Sequence, residues 1–274
     1  MRTMTRRGSF ILLTGLVTLT SLSQLEARTR VRTAAPATKL TALVVLYDAI
    51  PGQEAALERE LMTPISQSDI ARYGIVNDRV LKNIDPVAAQ FASYTKFSGR
   101  SNSNDFLSAR LDKVKNLVRR APENHIVKLD STFTPGHRTD SPTGKEFGYK
   151  SVGQTAHLFL GVPAPKFEQD YVNSLAQVKT LTENRSPQGW FGDDLLSSTA
   201  PRSAEQLAPY TPRPAASTMM SINYAEYQTF EAAEDAYLNR QQSDDPTFLQ
   251  LARVFFSSLE VPSRFYIFKV VANR

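Results

Sequence analysis

The chain has 274 residues, of which 41% are hydrophobic and 22% charged, with a formal net charge of +5. That length permits one large or two small domains, and the composition is that of an ordinary soluble globular protein. The lack of any cysteine excludes disulfides, thiol catalysis, zinc–thiolate sites and a cysteine-linked lipid anchor. The basic excess is small and scattered, which argues against nucleic acid as a partner.

Residues 1–27 read as a signal peptide. Arg2, Arg6 and Arg7 precede an apolar run from Phe10 to Leu22, and Ala27 offers a small residue for cleavage. The run is too short for a comfortable membrane span, although an uncleaved anchor is the alternative. The Arg6-Arg7 pair hints at the twin-arginine route. The mature protein is therefore expected to be exported, periplasmic or extracellular, with no membrane segment after cleavage. Residues 28–39, rich in Arg, Thr, Ala and Pro, suit a flexible spacer.

A first module is expected over residues 40–132. Leu43, Val45 and Tyr47 alternate with Val44, Leu46 and Asp48 in a strand buried on both faces. Pro51-Gly52 turns the chain into a helix carrying Leu57 and Leu61. Tyr73 to Leu81 and Gln90 to Phe97 read as a hairpin. A helix carrying Leu107, Leu111, Val114 and Val118 follows, and His125 to Asp130 is the fourth strand. The order is strand, helix, strand, strand, helix, strand, the ferredoxin-like split unit.

Residues 133–154 suit a linker. A second module over 155–274 repeats the order, and aligning Pro51 with Pro165 superposes strand on strand and helix on helix. Its strands run from Ala156 to Val162, Gly189 to Leu196, Met219 to Tyr227 and Arg264 to Val271. Its helices are marked by Phe167 to Val178, Phe230 to Asn239 and Pro246 to Leu259. A proline-rich insertion at 197–217 breaks the symmetry and suits a lid, a partner-binding loop or a disordered excursion.

Val44-Val-Leu-Tyr-Asp-Ala-Ile-Pro-Gly-Gln-Glu-Ala-Ala-Leu57 resembles the opening strand and helix of the dimeric α+β barrel superfamily. Its antibiotic-biosynthesis-monooxygenase-like domains are the most similar group. Ser93-Tyr-Thr-Lys-Phe-Ser-Gly99 and Tyr224-Ala-Glu-Tyr-Gln-Thr-Phe-Glu-Ala-Ala-Glu234 resemble that family's strand leading into its second helix. The resemblance implies an α+β fold in which two ferredoxin-like βαββαβ modules pack sheet to sheet as an intramolecular α+β barrel. The partnership is then a monomer made by internal pairing, or a homo-oligomer.

Strand parity separates two faces. Leu158, Leu160 and Val162 form an aliphatic row suited to packing under helices. The opposite row, His157 and Phe159 with Leu43, Val45 and Tyr47, is expected at the inter-sheet face, together with Ser93, Asn223, Phe97 and Tyr227. Such an apolar and aromatic wall with a few polar groups is the usual makeup of a small-molecule pocket. The candidate catalytic residues are His157 as a proton acceptor, with Asn223 and Tyr47 orienting a substrate oxygen. Phe159, Ser93, Tyr227 and Trp190 are the candidate ligand contacts. A satisfied core histidine and a strand-packing tryptophan are the plain alternatives.

No metal site is expected: Asp193 and Asp194 have no further ligand at suitable spacing. No phosphate loop, nucleophile elbow, zincin or dinucleotide motif is present. The haem-ligand pattern of some relatives is missing too, so no cofactor is expected. The sequence thus reads as a barrel binding a small apolar or aromatic molecule, with cofactor-independent oxidation as its enzymatic form. The alternative is a non-catalytic periplasmic binding or stress-related protein with a packed barrel seam.

Overall fold

A computed structural model describes residues 40–84, 89–98, 102–129, 152–185, 190–198, 220–237, 245–260 and 263–274. The expected signal peptide and spacer, most of the linker with His137, and most of the 197–217 insertion lie outside the described residues.

The first half runs β1 (Thr41–Tyr47), α1 (Glu54–Met62), α2 (Gln67–Tyr73), β2 (Ile75–Asn83), β3 (Phe91–Phe97), α3 (Ser103–Val114) and β4 (Glu123–Leu129). The second runs β5 (Thr155–Gly161), a 3₁₀ turn (Pro165–Phe167), α4 (Glu168–Arg185), β6 (Trp190–Ser198), β7 (Met220–Tyr227), α5 (Phe230–Tyr237), α6 (Pro246–Ser257) and β8 (Arg264–Asn273). Both halves follow the βαββαβ order. Helix α2 is an addition to the expected pattern, and it takes Tyr73 out of the second strand. Ser66 caps it by accepting from the Asp69 amide, and Gly74 ends it at a left-handed φ of 68°.

All strand pairs are antiparallel, and the eight strands close into a barrel in the order β1-β3-β2-β8-β5-β7-β6-β4. Each half contributes a four-stranded sheet, with β1 and β5 at equivalent positions. The halves join edge to edge, β2 to β8 and β4 to β6. Edge pairing satisfies the backbone groups that an open sheet would leave exposed.

An eight-stranded barrel leaves an interior that side chains fill. Ala42, Val44 and Leu46 of β1 meet Ala156, Leu158 and Leu160 of β5 there, with Ile222, Phe268 and Val270. Tyr94 and Tyr224 stack across the barrel with ring centroids 4.3 Å apart. Beside them Arg79 and Glu226, both fully buried, form an ion pair at 2.5 Å, and the Tyr224 hydroxyl donates to Glu226. Near the starts of β4 and β8, Arg264 makes two bonds to Glu123, and His125 lies 2.6 Å from the same carboxylate. Burial opposes ionisation of Glu123, but its bonds with His125 and Arg264 hold its pKa down to about 2.

The helices cover the outside. Under α1, α2 and α3 lie Leu43, Val45, Tyr47, Val80, Phe91 and Phe97, packed on Leu57, Leu61, Tyr73 and Phe106. On the second half, Phe255 of α6 stacks on Tyr171 of α4 and meets Phe159 of β5. Phe255 and Phe248, on one stripe of α6, are both buried.

Replacing Glu226 by Gln removes the carboxylate paired with the buried Arg79 and is expected to cost about 3–5 kcal/mol in urea unfolding. Replacing both Arg79 and Glu226 by Met is expected to cost less than the single change. A single-variant loss below about 1 kcal/mol would mean the pair contributes little.

Candidate functional site

Side-chain parity is as the sequence predicts, but the faces are the other way round. The aliphatic row Leu158, Leu160 and Val162, expected under helices, faces the barrel interior. The row of His157 and Phe159, expected between the sheets, faces the helices. The physical reason is that alternation assigns residues to a common face without saying which face points inward.

The seven candidate residues therefore divide between two sites. Strands β1 and β5 lie four places apart in the eight-strand ring, on opposite sides of the barrel. Tyr47 cannot join His157 at one substrate. It bonds instead with Ser93, 3.2 Å away on the neighbouring strand of the first half.

On the second half, His157, Phe159, Asn223 and Tyr227 do come together. His157 stands opposite Ala225 and Phe159 opposite Asn223 in the β5–β7 register, so His157 and Asn223 are diagonal neighbours on one face. Trp190 begins β6 opposite Tyr227; its side chain lies outside the described part of the structure. The His157 ring sits between Tyr227 and Phe265, with centroids at 4.5 and 4.6 Å. It is 4% exposed, and its Nε2 has no hydrogen-bond partner.

Burial drives the His157 pKa down to about 3, against the raising effect of a hydrogen bond with the Ala233 backbone. A bond that favours the protonated ring has the ring as donor. With Nε2 unpartnered, Nδ1 is that donor, so Nε2 keeps its lone pair as an acceptor. Four residues further along β5, Gly161 allows a close approach: a Cβ there would lie 2.5 Å from the Tyr171 hydroxyl. That hydroxyl bonds Ser221 at 2.7 Å, and burial raises its pKa.

The first half carries a charged cluster that the sequence reading missed. Asp78 is fully buried on the helix-covered face of β2, opposite Thr95. Arg110 of α3 reaches it at 2.7 Å, Arg274 at 2.5 Å, and the Thr95 hydroxyl donates at 2.6 Å. Burial would raise the Asp78 pKa, but Arg110 and Arg274 outweigh it and the pKa is lowered. Burial likewise raises the Tyr47 pKa. An open cleft of about 180 Å³ lies beside this cluster. The one sequence signal for it was an Asp-Arg pair, Asp78-Arg79, inside an otherwise strand-like run. Among the described residues no group of acidic or histidine side chains could hold a metal ion.

His157 favours the neutral form in the folded state, so its stabilising contribution is present above about pH 6.5 and is lost as the pH falls toward about 3. Asp78 and Glu123 act in the same sense, but only below their ordinary values of 3.8 and 4.5. Between those windows His157 is expected to give a slope of about 1.4 kcal/mol per pH unit in unfolding free energy. Urea titrations at about pH 6 and about pH 5 should show this slope, and His157→Gln should flatten it.

No protein-family model matches the chain, and no curated protein matches it. Solved structures do. An anthrone oxidase-like protein superposes with a TM-score of 0.56 at 13% identity, covering 86% of this chain and 93% of its own. A chlorite-dismutase-like protein gives 0.51 at 11%, covering 86% and 96%. A monooxygenase-like protein from Lactobacillus acidophilus gives 0.50 at 10%, covering 86% and 95%. These proteins belong to the dimeric α+β barrel superfamily. At such identities the likeness establishes the fold alone: this chain is an α+β barrel closed within one polypeptide.

Proposed function

We propose that the chain is an exported α+β barrel that binds a small, largely apolar or aromatic molecule on the helix-covered face of its second half. The observation that carries this reading is the buried His157 Nε2, an acceptor with no partner between two aromatic rings. An unmet buried acceptor costs about 1–3 kcal/mol. A hydroxyl on a flat ligand would relieve that cost once the packing of Tyr227 and Phe265 around the imidazole opens to admit it. Asn223 and Phe159 flank the same place, and Trp190 begins the neighbouring strand opposite Tyr227. Export rests on the leader at residues 1–27.

The enzymatic form of this reading is cofactor-independent oxidation of a hydroxylated aromatic. Names of two solved neighbours, anthrone oxidase-like and monooxygenase-like, point the same way. In that form His157 Nε2 receives the substrate's hydroxyl proton and Asn223 holds the oxygen. A pKa near 3 makes the resting ring a weak base, well below the range suited to proton abstraction at neutral pH. It therefore favours binding and orientation over catalysis. Tyr47 takes no part, because it sits across the barrel.

Native mass spectrometry of the protein purified from its host is expected to find a retained small aromatic. With 1-naphthol as probe, His157→Ala should raise Kd about tenfold, or about 1.4 kcal/mol, and leave naphthalene binding unchanged. Equal 1-naphthol affinity in both proteins would end the reading. Oxygen consumption with the bound compound, abolished in the variant, would establish the enzymatic form.

A further inference from the structure

The helix layer covers the two halves unequally. On the first half, Val45 and Ser93 are paired in the β1–β3 register on the helix-facing side and are fully buried. Their counterparts on the second half, Phe159 and Asn223, are paired in the β5–β7 register and are only half-buried. Phe265 pairs with Phe159 from the other side, in the β5–β8 register, and is half-buried too. Asn223, Phe159 and Phe265 therefore make a row across β7, β5 and β8 at which solvent reaches the outer face of the sheet.

His157 borders this row, two residues before Phe159 on the same face of β5. Its unpartnered Nε2 lies between the rings of Tyr227 and Phe265. Those rings are held differently. Tyr227 is buried in a cluster with Ala225 and Ala233, and the Ala233 backbone bonds the imidazole from α5. Displacing Tyr227 would disturb that helix and that bond. Phe265 instead ends the solvent-reached row, so rotation about its side-chain torsions turns the ring outward without moving a helix. Such rotamer changes are fast where a side chain meets water.

Given His157 as the ligand contact proposed above, on which this step rests, we propose that Phe265 is the movable wall of the site and its shape-selecting residue. The Phe265 ring swings outward, the ligand enters over Phe159, and a flat ring takes the vacated place against the imidazole. That slot is one aromatic ring thick. It admits planar hydroxylated molecules and rejects saturated ones of the same carbon skeleton.

Diethyl pyrocarbonate acylates an unprotonated imidazole nitrogen, and peptide mass spectrometry separates His157 from His125 and His137. Phe265→Ala is expected to raise the rate of His157 acylation about tenfold, and Tyr227→Ala by less than about threefold. Val80→Ala loosens the first-half core and should leave the rate within about twofold, since opening is local. If Phe265→Ala does not fold, Phe265→Leu decides in the same direction. With ligands, decahydro-1-naphthol should bind the wild type about tenfold more weakly than 1-naphthol, and Phe265→Ala should narrow that gap. Faster acylation in Phe265→Ala with no 1-naphthol binding would uphold the movable wall and end the ligand reading. An unchanged acylation rate in Phe265→Ala, an equal rise in Tyr227→Ala or Val80→Ala, or an undiminished gap between the two alcohols would overturn the proposal, even with 1-naphthol bound.

Discussion

Closure of the barrel is the constraint on which the rest depends. Each half makes a four-stranded sheet with helices on one face and two open edges. Pairing β2 with β8 and β4 with β6 removes all four edges and creates a common interior. Once the ring is closed, one row of every strand must fill a narrow tube and the other must meet helices. The positions of His157, Asp78 and the cleft follow from that division.

The centre of the tube is asymmetric in charge although its layout is equivalent in the two halves. Tyr94 stands opposite Val44 and Tyr224 opposite Leu158, and the two tyrosines stack across the middle. Two residues on, one half has Lys96 and the other Glu226, both buried. Arg79 faces Tyr94 in the β2–β3 register, and Asp194 holds the corresponding position opposite Tyr224. Around the stacked tyrosines the first half thus supplies Arg79 and Lys96 and the second Glu226, while near the end of the tube Glu123 and Arg264 reverse the order. Two first halves paired together would bury their cations without the acid Glu226 supplies, which disfavours that assembly.

The outer faces diverge as well. The first half has a polar floor, with Asp78, Thr95, Ser93 and Tyr47 under α3. The second has an aromatic one, with His157, Phe159, Tyr227 and Phe265 under α4, α5 and α6. One scaffold therefore offers two different chemical environments, an ion-pinned cleft and a neutral imidazole among rings.

Much of the architecture was legible in the sequence. Alternation in Leu43 to Tyr47 and Ala156 to Val162 marked strands, helical spacing marked α3 and α6, and the repeated order pointed to paired split units. Helix α2 was missed because it is short and offers a single pair of large apolar residues at helical spacing, Ile70 and Tyr73; its signals were the Ser66 cap and Gly74. Of the second-half candidates, His157, Phe159, Asn223 and Tyr227 share a face, as parity implied. Tyr47 and Ser93 shared that parity but not that location.

Residue order by itself determined which side chains alternate, where strands and helices begin, and that the two halves would share a scheme. It also determined that no thiol chemistry is possible. Tertiary structure alone decided which face of each strand points inward, that β1 and β5 lie across the ring from one another, and that Arg110 and Arg274 converge on Asp78 from positions distant in the chain. The reason is that alternation is a local property with period two, whereas inside and outside exist only after the sheet has closed on itself.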